Sequence, residues 1–286
     1  MSHYLIAGCG YLGTRLAVGL LKDGHDVTGI CRSRESETRL SQAGIRPLRV
    51  DLTQFESLKS LPACDFAVAS QAPAPNEPYS QIYLQATQNL LRVMSNHAPR
   101  KFIMISSTSV YGEKDGEWVD ENTKPTLEGP TSCAPGGNVA EKRRLLLQTE
   151  ETVLQSSIPS MVLRLTGIYG PGRNRLKRLK EGSYEPAWSE DYTNRIHVDD
   201  AAAAIRLLWE RGKAGEVYLG TDDEPVKEME FYTWLYGRLG LAVPMDRSAV
   251  KAGARSSKRC SNKKLRSLGF APQYPTYREG YGALLK

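Results

Sequence analysis

A glycine-rich turn near the N-terminus constrains the fold of this chain more strongly than any other feature. An apolar run at residues 4–7 precedes the turn, and a second one at residues 27–30 follows a stretch with helical leucine spacing. The turn itself reads Gly8-x-Gly10-x-x-Gly13. Strand, glycine turn, helix and strand form the βαβ unit that binds dinucleotides, with the pyrophosphate at the helix N-terminus. We therefore predict a dinucleotide site at this turn.

The residues after the second apolar run indicate which dinucleotide is bound. An NAD site has an acidic residue there, which accepts hydrogen bonds from the ribose 2′-hydroxyl. In this chain Arg32 and Arg34 follow instead, and two guanidiniums can hold a 2′-phosphate. The alternative is that both arginines belong to a solvated loop, with Glu35 and Glu37 as their partners. We predict NADP as the cofactor, with NAD as the alternative.

Cysteine usage and hydropathy exclude several classes of protein. The five cysteines are Cys9, Cys31, Cys64, Cys133 and Cys260. Their number is odd and no pair has CxxC spacing, so we predict neither a disulfide framework nor a metal site. The longest apolar stretch, residues 4–21, contains the glycine turn and Arg15, which is not the pattern of a signal sequence or a membrane span. We expect a cytoplasmic protein.

The net charge of +6 on 286 residues is concentrated in two basic runs, residues 173–180 and 251–266. Most of these charges are interpreted as solvated faces, although a basic patch also attracts anions. Neither run has the interleaved aromatic residues of a base-stacking platform, which argues against a nucleic-acid partner. We expect a small-molecule substrate of anionic character and a monomer or homodimer.

Short apolar runs alternate with helical patterns through most of the chain. Strand-like runs occupy residues 45–50, 65–69, 102–105 and 161–165, and helical patterns occupy residues 82–94 and 145–154. This order predicts an α/β fold, a doubly wound Rossmann-type parallel sheet with a small C-terminal substrate lobe. The predicted dinucleotide-binding domain is residues 1–165, with 195–220 returning to it. The lobe would comprise residues 166–194 and 221–286.

Two further local predictions concern the second half of the chain. Asp199 and Asp200 would cap an alanine-rich helix that runs to about Trp209, with their carboxylates at its positive end. Residues 217–219 would form the last strand.

Six segments carry a resemblance to a known family. They are residues 8–13 (GCGYLG), 106–112 (SSTSVYG), 163–172 (LRLTGIYGPG), 194–200 (NRIHVDD), 221–225 (TDDEP) and 274–280 (YPTYREG). On these segments the chain resembles the extended and atypical short-chain dehydrogenase/reductase superfamily, of the NAD-dependent epimerase/dehydratase type. Within it, the chain is similar to the atypical group typified by the bacterial protein YeeZ. The resemblance covers nearly the whole chain.

The resemblance implies a set of site residues. The cofactor-binding residues would be Gly8, Gly10, Tyr11, Leu12, Gly13, Asp51, Leu52, Ser70, Gln71 and Ala72. Asp51 and Leu52 would border the adenine, and the segment from Ser70 would lie beside the ribose and nicotinamide. Ser107 would hydrogen-bond the reacting oxygen of the substrate.

The chain departs from the superfamily at the catalytic acid/base. That position needs a tyrosine with a lysine four residues later, because the ammonium lowers the tyrosine pKa from about 10. No YxxxK follows Ser107. One alignment keeps Lys142 and places Asn138 at the tyrosine position. The other, which we prefer, places Lys142 at the tyrosine position and Leu146 at the lysine position.

Three residues are candidates for catalysis: Ser107, Tyr111 and Lys142. Tyr111 would either point toward the cleft or pack under the lobe. Lys142 would be an acid or a substrate anchor if desolvated, or else a surface lysine. His197 titrates in a useful range, but a structural histidine is the alternative.

Two arginines could also contact the substrate. Arg164 and Arg195 would hold a phosphate or a carboxylate, or would form ion pairs with Asp199 or Asp200.

Two functions remain open from the sequence. The first is an NADP-dependent oxidoreductase or epimerase/dehydratase-like protein that acts on a hydroxyl or carbonyl substrate, with a sugar nucleotide among the candidates. The second is a non-catalytic NAD(P)-binding protein with a redox-sensing or regulatory role.

Overall fold

The computed structural model describes residues 1–74, 77–127, 139–244 and 256–285. Cys133 and Asn138 lie outside these ranges. The strands are β1 (His3–Ala7), β2 (Asp26–Cys31), β3 (Arg46–Arg49), β4 (Phe66–Ala69), β5 (Lys101–Ser107), β6 (Glu117–Val119), β7 (Ser160–Leu165), β8 (Gly167–Tyr169), β9 (Tyr192–Thr193), β10 (Arg195–His197), β11 (Val217–Gly220), β12 (Val226–Lys227) and β13 (Lys258–Cys260). The helices are α1 (Tyr11–Lys22), α2 (Arg34–Gln42), α3 (Ala86–Met94), α4 (Val139–Leu154), α5 (Leu176–Lys180), α6 (Val198–Arg211), α7 (Glu228–Leu239), α8 (Lys263–Ser267) and α9 (Tyr277–Leu284).

A seven-stranded sheet forms the centre of the molecule. Its strands lie in the order β3-β2-β1-β4-β5-β7-β11, and every neighbouring pair is parallel. From β1, the chain adds β2 and β3 on one side of the sheet and then β4 and the later strands on the other side. Doubly wound sheets bind ligands at such a point between β1 and β4, beyond the carboxyl ends of the strands. The predicted doubly wound Rossmann-type sheet is confirmed.

Both faces of the sheet are covered by helices. Alternate residues of β1 belong to two separate cores: Ile6 to one, and Leu5 and Ala7 to the other. Helices α1 and α6 pack together on the first face, while α3 and α4 contribute to the core on the second. Because side chains of a strand alternate between the two faces, an apolar run such as residues 4–7 is the expected pattern for a strand buried on both.

The small lobe has its own apolar core. Tyr169, Leu176 and Trp188 pack there with side chains from α7 and α9, including Phe231 and Tyr277. Three two-stranded pairs, β8–β10, β9–β12 and β6–β13, link segments far apart in the chain. The lobe therefore depends on contacts that no local pattern specifies.

Several predicted boundaries differ from those observed. The helix predicted at residues 82–94 starts with a π-helical turn, Ser80–Gln85, so that α3 begins at Ala86. A wider turn keeps the apolar spacing roughly helical, so the pattern did not reveal it. Helix α4 begins at Val139 rather than at residue 145. Residues 217–219 lie within β11, an edge strand of the sheet, but β12 and β13 follow.

The prediction that Asp199 and Asp200 cap α6 is wrong, because the N-cap residue is His197. The side chain of His197 accepts the hydrogen bond from the Asp199 backbone N–H, and both aspartates lie within the first turn. The Asp199 carboxylate pairs with Arg15 instead. The Asp200 carboxylate accepts hydrogen bonds from the backbone N–H groups at residues 273 and 274, at 2.6 and 3.0 Å.

Candidate functional site

The glycine turn brings β1, β4 and α1 into close contact. Gly8 has φ +84°, and a Cβ at this position would lie 2.4 Å from the backbone nitrogen of Gln71. A Cβ at Gly13 would lie 2.8 Å from the carbonyl oxygen of Gly8. Since these neighbours are backbone atoms that cannot move aside, both positions require glycine. Helix α1 consequently begins directly at the carboxyl end of β1.

Gly10 has a different environment from the other two glycines. A Cβ there would meet no atom of the described residues within 4 Å, so these residues leave the space beside it open. Gly10 immediately precedes α1, whose first backbone N–H groups lack partners within the helix. An open space in front of a helix N-terminus fits the pyrophosphate of a dinucleotide.

The ends of the neighbouring strands complete this cleft. The Ser70 hydroxyl donates to the carbonyl oxygen of Gly8 at 2.9 Å. Gln71 donates through Nε2 to the Thr87 hydroxyl at 3.0 Å, while its buried Oε1 has no hydrogen-bond partner in the described part of the chain. A buried acceptor without a partner is costly, so a donor on a ligand at this place would be favourable.

The other predicted cofactor residues lie at the same edge of the sheet. The Asp51 carboxylate accepts from the backbone N–H and the hydroxyl of Thr53, at 2.9 and 2.8 Å. Leu52 is buried and Ala72 is exposed. Tyr11 and Leu12 form the first turn of α1, and the Tyr11 hydroxyl donates to the carbonyl oxygen of Pro171 at 3.0 Å. Their contacts with a cofactor stay a prediction.

The two arginines after β2 differ in their partners. Arg32 forms a two-pronged ion pair with Glu77, which follows β4, with Nη2 3.1 Å from Oε2. Arg34 is the first residue of α2 and is exposed. Glu37, an expected partner, pairs instead with Arg49 at 3.1 Å.

A third arginine reaches the glycine turn and was missed from the sequence. Arg39, on α2, donates to the Thr14 hydroxyl at 3.0 Å and to the carbonyl oxygen of Cys9 at 3.2 Å. Thirty positions separate it from Cys9, so no local pattern connects the two. Its guanidinium adds positive charge beside the predicted pyrophosphate site.

Ser107 is the last residue of β5 and is half-buried. Its hydroxyl oxygen accepts the backbone N–H of Ser109 at 3.1 Å. A hydroxyl that accepts in this way still carries one proton that it can donate to a ligand. The geometry is compatible with the predicted hydrogen bond to a substrate oxygen.

Tyr111 packs under the lobe. Its side chain is fully buried, and its hydroxyl donates to the carbonyl oxygen of Asp120 and accepts from Arg164 Nη1, both at 2.7 Å. Burial raises the pKa of Tyr111 to about 12. A hydroxyl with both bonds used inside the protein is placed as a structural group rather than as an acid/base in the cleft.

Arg164 belongs to a buried polar network, so the alternative of an ion pair with Asp199 or Asp200 is wrong for this residue: its partner is Glu150. Its Nη2 lies 2.6 Å from Glu150 Oε2, and the two side chains are almost completely buried. The Ser106 hydroxyl donates to the same carboxylate. The network thus joins α4, β5 and β7 directly below the segment that carries Ser107.

Lys142 lies on α4 and is half-buried. Its ammonium is 5.5 Å from the centre of the Tyr79 ring, a cation–π distance. Leu146, one turn further on, is buried in the apolar core. In the preferred alignment, therefore, the superfamily's lysine position is a core position, and Asn138 of the other alignment lies outside the described residues.

His197 occupies the structural role that was the alternative to catalysis. It is buried, and its Nδ1 accepts the backbone N–H of Asp199 at 3.3 Å. Burial lowers the pKa of His197 from its ordinary value of 6.5, although the Asp199 charge opposes the shift. A neutral imidazole at the N-terminus of α6 is the result.

A cavity of about 460 Å³ lies between the sheet and the lobe. Its lining includes Thr108, next to Ser107, and Gly167, which follows β7. Among the described residues, four basic side chains line it (Arg173, Arg175, Arg195 and Lys258), against two acidic ones, Asp191 and Glu228. Its volume falls in the range of small-molecule sites, and the excess of positive charge favours an anion.

Arg195 retains unused hydrogen-bonding capacity in this cavity. Its guanidinium lies 3.5 Å from the centre of the Phe231 ring, and its buried Nη1 has no hydrogen-bond partner among the residues that the structure describes. The expectation that Arg195 could hold a phosphate or carboxylate therefore remains a prediction with a donor available for it.

Lys258 is a cavity residue that the sequence analysis missed. It falls within the basic run at residues 251–266, which was interpreted as mostly solvated, yet it is 3% exposed. One signal could have identified it: Lys258 and Cys260 are two residues apart, and in a strand such residues share a face.

The described residues hold neither a candidate metal site nor a membrane span. No group of three or more His, Cys, Asp or Glu side chains in these ranges could hold a metal ion. None of the described helices is long and apolar enough to cross a membrane.

The sheet order and the glycine turn define a nucleotide-binding protein of the Rossmann type. Residues 4–219 match the model of the NAD dependent epimerase/dehydratase family, and the chain belongs to this family.

Curated and solved relatives agree with this assignment. The chain is 30% identical to protein YeeZ of Escherichia coli strain K12, over 96% of this chain and 97% of that protein. A solved structure from Methylobacillus flagellatus, assigned to the NAD-dependent epimerases/dehydratases, is 33% identical with a TM-score of 0.79, over 99% of this chain and 97% of that one. UDP-glucuronic acid 4-epimerase from Bacillus cereus, solved with UDP-glucuronic acid and NAD, shares the fold at 19% identity, with a TM-score of 0.77 over 99% and 98% of the two chains.

Proposed function

We propose that the protein binds NADP(H) and transfers hydride to or from a hydroxyl- or carbonyl-bearing substrate of anionic character. The observation that carries the proposal is the pair of constrained glycines, Gly8 and Gly13, around an open Gly10. Only glycine fits at positions 8 and 13, and the open space beside Gly10 leaves room for a pyrophosphate. When bound, the dinucleotide would supply the hydride.

The residues present fit such a cofactor. The N-terminus of α1 would hold the pyrophosphate, with the Arg39 guanidinium beside the turn. The buried Oε1 of Gln71 would accept a hydrogen bond from an amide at the nicotinamide end. Asp51 and Leu52 would border the adenine.

NADP is favoured by the charges after β2. Arg34 is exposed, and Arg32 is paired with Glu77. A 2′-phosphate would compete with the Glu77 carboxylate for the Arg32 guanidinium, and a charge-assisted hydrogen bond contributes about 1.5–3 kcal/mol. NAD, the dinucleotide bound in the Bacillus cereus epimerase complex, remains the alternative.

The substrate would occupy the cavity beside Ser107. The Ser107 hydroxyl would donate to the reacting oxygen, and Arg195 would bind an anionic group. A sugar nucleotide is one substrate of this kind. The absence of YxxxK after Ser107 means that the proton must be moved by another group.

A non-catalytic NAD(P)-binding regulator is the second candidate, and the buried hydroxyl of Tyr111 favours it. In that case sensing would act through the bound dinucleotide rather than through Cys9 or Cys260. Burial raises the pKa of Cys9 to about 11 and that of Cys260 to about 12, so neither is a reactive thiolate at neutral pH.

Calorimetric titration with NADPH, NADP⁺, NADH and NAD⁺ tests the proposal. We expect micromolar binding with a preference of about tenfold or more for the phosphorylated forms, equivalent to about 1.4 kcal/mol. Binding of none of the four would refute the proposed function. A strong preference for one redox state, without turnover of carbonyl compounds, would favour the regulator.

A further inference from the structure

The loop that follows β8 lies against the first turn of α1. The Tyr11 hydroxyl donates to the carbonyl oxygen of Pro171 at 3.0 Å. A Cβ at Gly170, which has φ +154°, would lie 2.7 Å from that hydroxyl and 3.1 Å from Nε2 of His197. A side chain at position 170 would therefore push the loop and the helix apart. The loop of the small lobe thus packs closely against the edge of the glycine turn.

A tight turn fixes the backbone of this loop. Gly170 and Arg173 exchange two backbone hydrogen bonds, each 3.1 Å long. Asn174 donates through Nδ2 to the carbonyl oxygen of Gly170 at 3.0 Å, and its Oδ1 accepts the backbone N–H of Leu176 at 3.1 Å. Because the backbone on both sides of Arg173 is held, its side chain leaves the turn from a defined position.

The side chain of Arg173 extends from this turn over the ring of Tyr11. Its guanidinium carbon lies 5.5 Å from the centre of the ring, a cation–π distance. Arg173 is exposed and also lines the cavity. Tyr11 is the first residue of α1 and directly follows Gly10. One guanidinium therefore borders both the start of α1 and the cavity.

Two other guanidiniums close to α1 and the turn are already engaged. Arg15 pairs with Asp199, with Nη2 2.9 Å from Oδ2. Arg39 donates to the Thr14 hydroxyl and to a backbone carbonyl oxygen of the turn. Within the part of the chain that the structure describes, the Arg173 guanidinium makes neither a hydrogen bond nor an ion pair. These residues therefore leave its N–H donors to a ligand.

We propose that Arg173 binds the pyrophosphate of the dinucleotide, at the phosphate nearer the nicotinamide. This inference rests on the function proposed above. A pyrophosphate at the N-terminus of α1 would lie beside Tyr11, and a guanidinium binds phosphate oxygens through paired, charge-assisted hydrogen bonds. Hydride transfer requires the nicotinamide to meet the substrate in the cavity. The phosphate on that side of the dinucleotide is therefore the one that a residue lining the cavity can reach.

An anionic group of the substrate is the competing ligand for this guanidinium. Arg195 already has a donor for such a group, and its guanidinium is stacked on Phe231, a ring of the lobe core. Arg173 is stacked instead on Tyr11, a ring of the dinucleotide-binding domain. This difference in position assigns the substrate anion to Arg195 and the pyrophosphate to Arg173.

Calorimetric titration of Arg173→Gln with three probes tests the contact. The probes are NADPH, 2′-phospho-ADP-ribose, which lacks only the nicotinamide, and adenosine 2′,5′-bisphosphate, which also lacks the phosphate on the nicotinamide side. ADP-ribose and AMP are the matching fragments if NADH is the form bound. We expect the variant to bind the first two probes about tenfold more weakly, because a charge-assisted contact is lost. It should bind the bisphosphate as the wild type does.

Two further variants separate a direct contact from a general effect of charge. Lys177→Gln removes a positive charge from α5 in the same lobe, where the side chain is 86% exposed, and should bind all three probes as the wild type does. Arg173→Lys keeps the charge but not the planar guanidinium, and its NADPH affinity should fall between those of the wild type and Arg173→Gln. Equal losses of affinity for all three probes in Arg173→Gln would overturn the proposal.

The same titrations separate this inference from the proposed function. NADPH binding by the wild type that Arg173→Gln fully retains refutes the contact and leaves the dinucleotide site intact. A loss for NADPH alone, without one for 2′-phospho-ADP-ribose, also refutes it, because the contact is then with the nicotinamide. If the wild type binds no dinucleotide, the proposed function is refuted, and the role of Arg173 with it.

Discussion

The glycine turn and the cavity differ in how far apart their residues lie in the chain. The turn is contained within residues 8–13 and is closed by the end of β4, whereas the cavity collects Thr108, Gly167, Arg195, Phe231 and Lys258 from separate segments. The turn is determined by backbone conformations that only glycine adopts easily. The cavity exists because distant elements pack together. A single-residue change should therefore act locally at the turn and through shared networks near the cavity.

The largest effect is expected from the network below the cavity. Glu150→Gln would leave Arg164 buried without its counter-charge, and breaking a buried pair in this way costs about 3–5 kcal/mol of unfolding free energy. Urea denaturation measures the loss. Glu56→Gln is the control, because the exposed Glu56–Lys59 pair should contribute less than about 1 kcal/mol. Equal losses of unfolding free energy for the two variants would show that the buried network stabilises the protein no more than an exposed ion pair does.

The next effect tests the turn itself. Gly8→Ala combines an unfavourable positive φ with a backbone contact at 2.4 Å, and we expect a loss of about 2–4 kcal/mol of unfolding free energy. Gly24→Ala is the matched control, since Gly24 has φ +79° and no atom within 4 Å of the added carbon. It should lose only about 1–2 kcal/mol. If both variants lose the same amount, close packing at Gly8 is not important.

Gly10→Ala should separate binding from stability. The added methyl meets no protein atom, so the free energy of unfolding should change by less than about 0.5 kcal/mol. The same methyl would occupy the pyrophosphate space, and the NADPH affinity measured by calorimetry should fall about tenfold or more, or about 1.4 kcal/mol. Unchanged affinity would place the phosphates elsewhere.

Glu77→Gln addresses cofactor choice. Removing the carboxylate releases Arg32 from its ion pair, so we expect NADPH to gain about tenfold in affinity relative to NADH, about 1.4 kcal/mol. Arg32→Ala should move the ratio in the opposite direction. If neither variant changes the ratio of NADPH to NADH affinity, the Arg32–Glu77 ion pair lies away from the 2′-phosphate of the bound dinucleotide.

The smallest effect concerns pH. Because burial lowers the pKa of His197 in the folded state, the unfolded chain holds the extra proton below pH 6.5, and stability should fall as the pH decreases from 6.5 towards the folded-state pKa. One such proton changes the unfolding free energy by at most about 1.4 kcal/mol per pH unit. Denaturant unfolding on both sides of pH 6.5 measures this slope.

His197→Asn is the variant for this test. Asparagine keeps a hydrogen-bond acceptor at the N-terminus of α6 and should flatten the slope. His97→Asn, at an exposed position, should leave it unchanged. A slope that survives His197→Asn would belong to other groups.

The strands and the order of the elements could be predicted from the sequence, whereas the ion-pair partners of several side chains could not. The apolar runs at residues 4–7 and 161–165 lie in strands buried on both faces, and their pattern is local. Arg164 was interpreted as a residue that holds an anionic ligand or, alternatively, pairs with Asp199 or Asp200, and it pairs with Glu150 instead. Which carboxylate an arginine meets depends on how α4 lies against β7, and sequence spacing does not contain that information.

By itself, the sequence determined the doubly wound sheet, the glycine turn and the position of the predicted dinucleotide cleft. These features follow from apolar periodicity and from the φ values that glycine permits, which are properties of a few neighbouring residues. Only the tertiary structure decided that Tyr111 is buried, that Arg39 reaches the turn and that Lys258 enters the cavity. The surroundings of these side chains come from segments far away in the chain, and long-range packing brings them together.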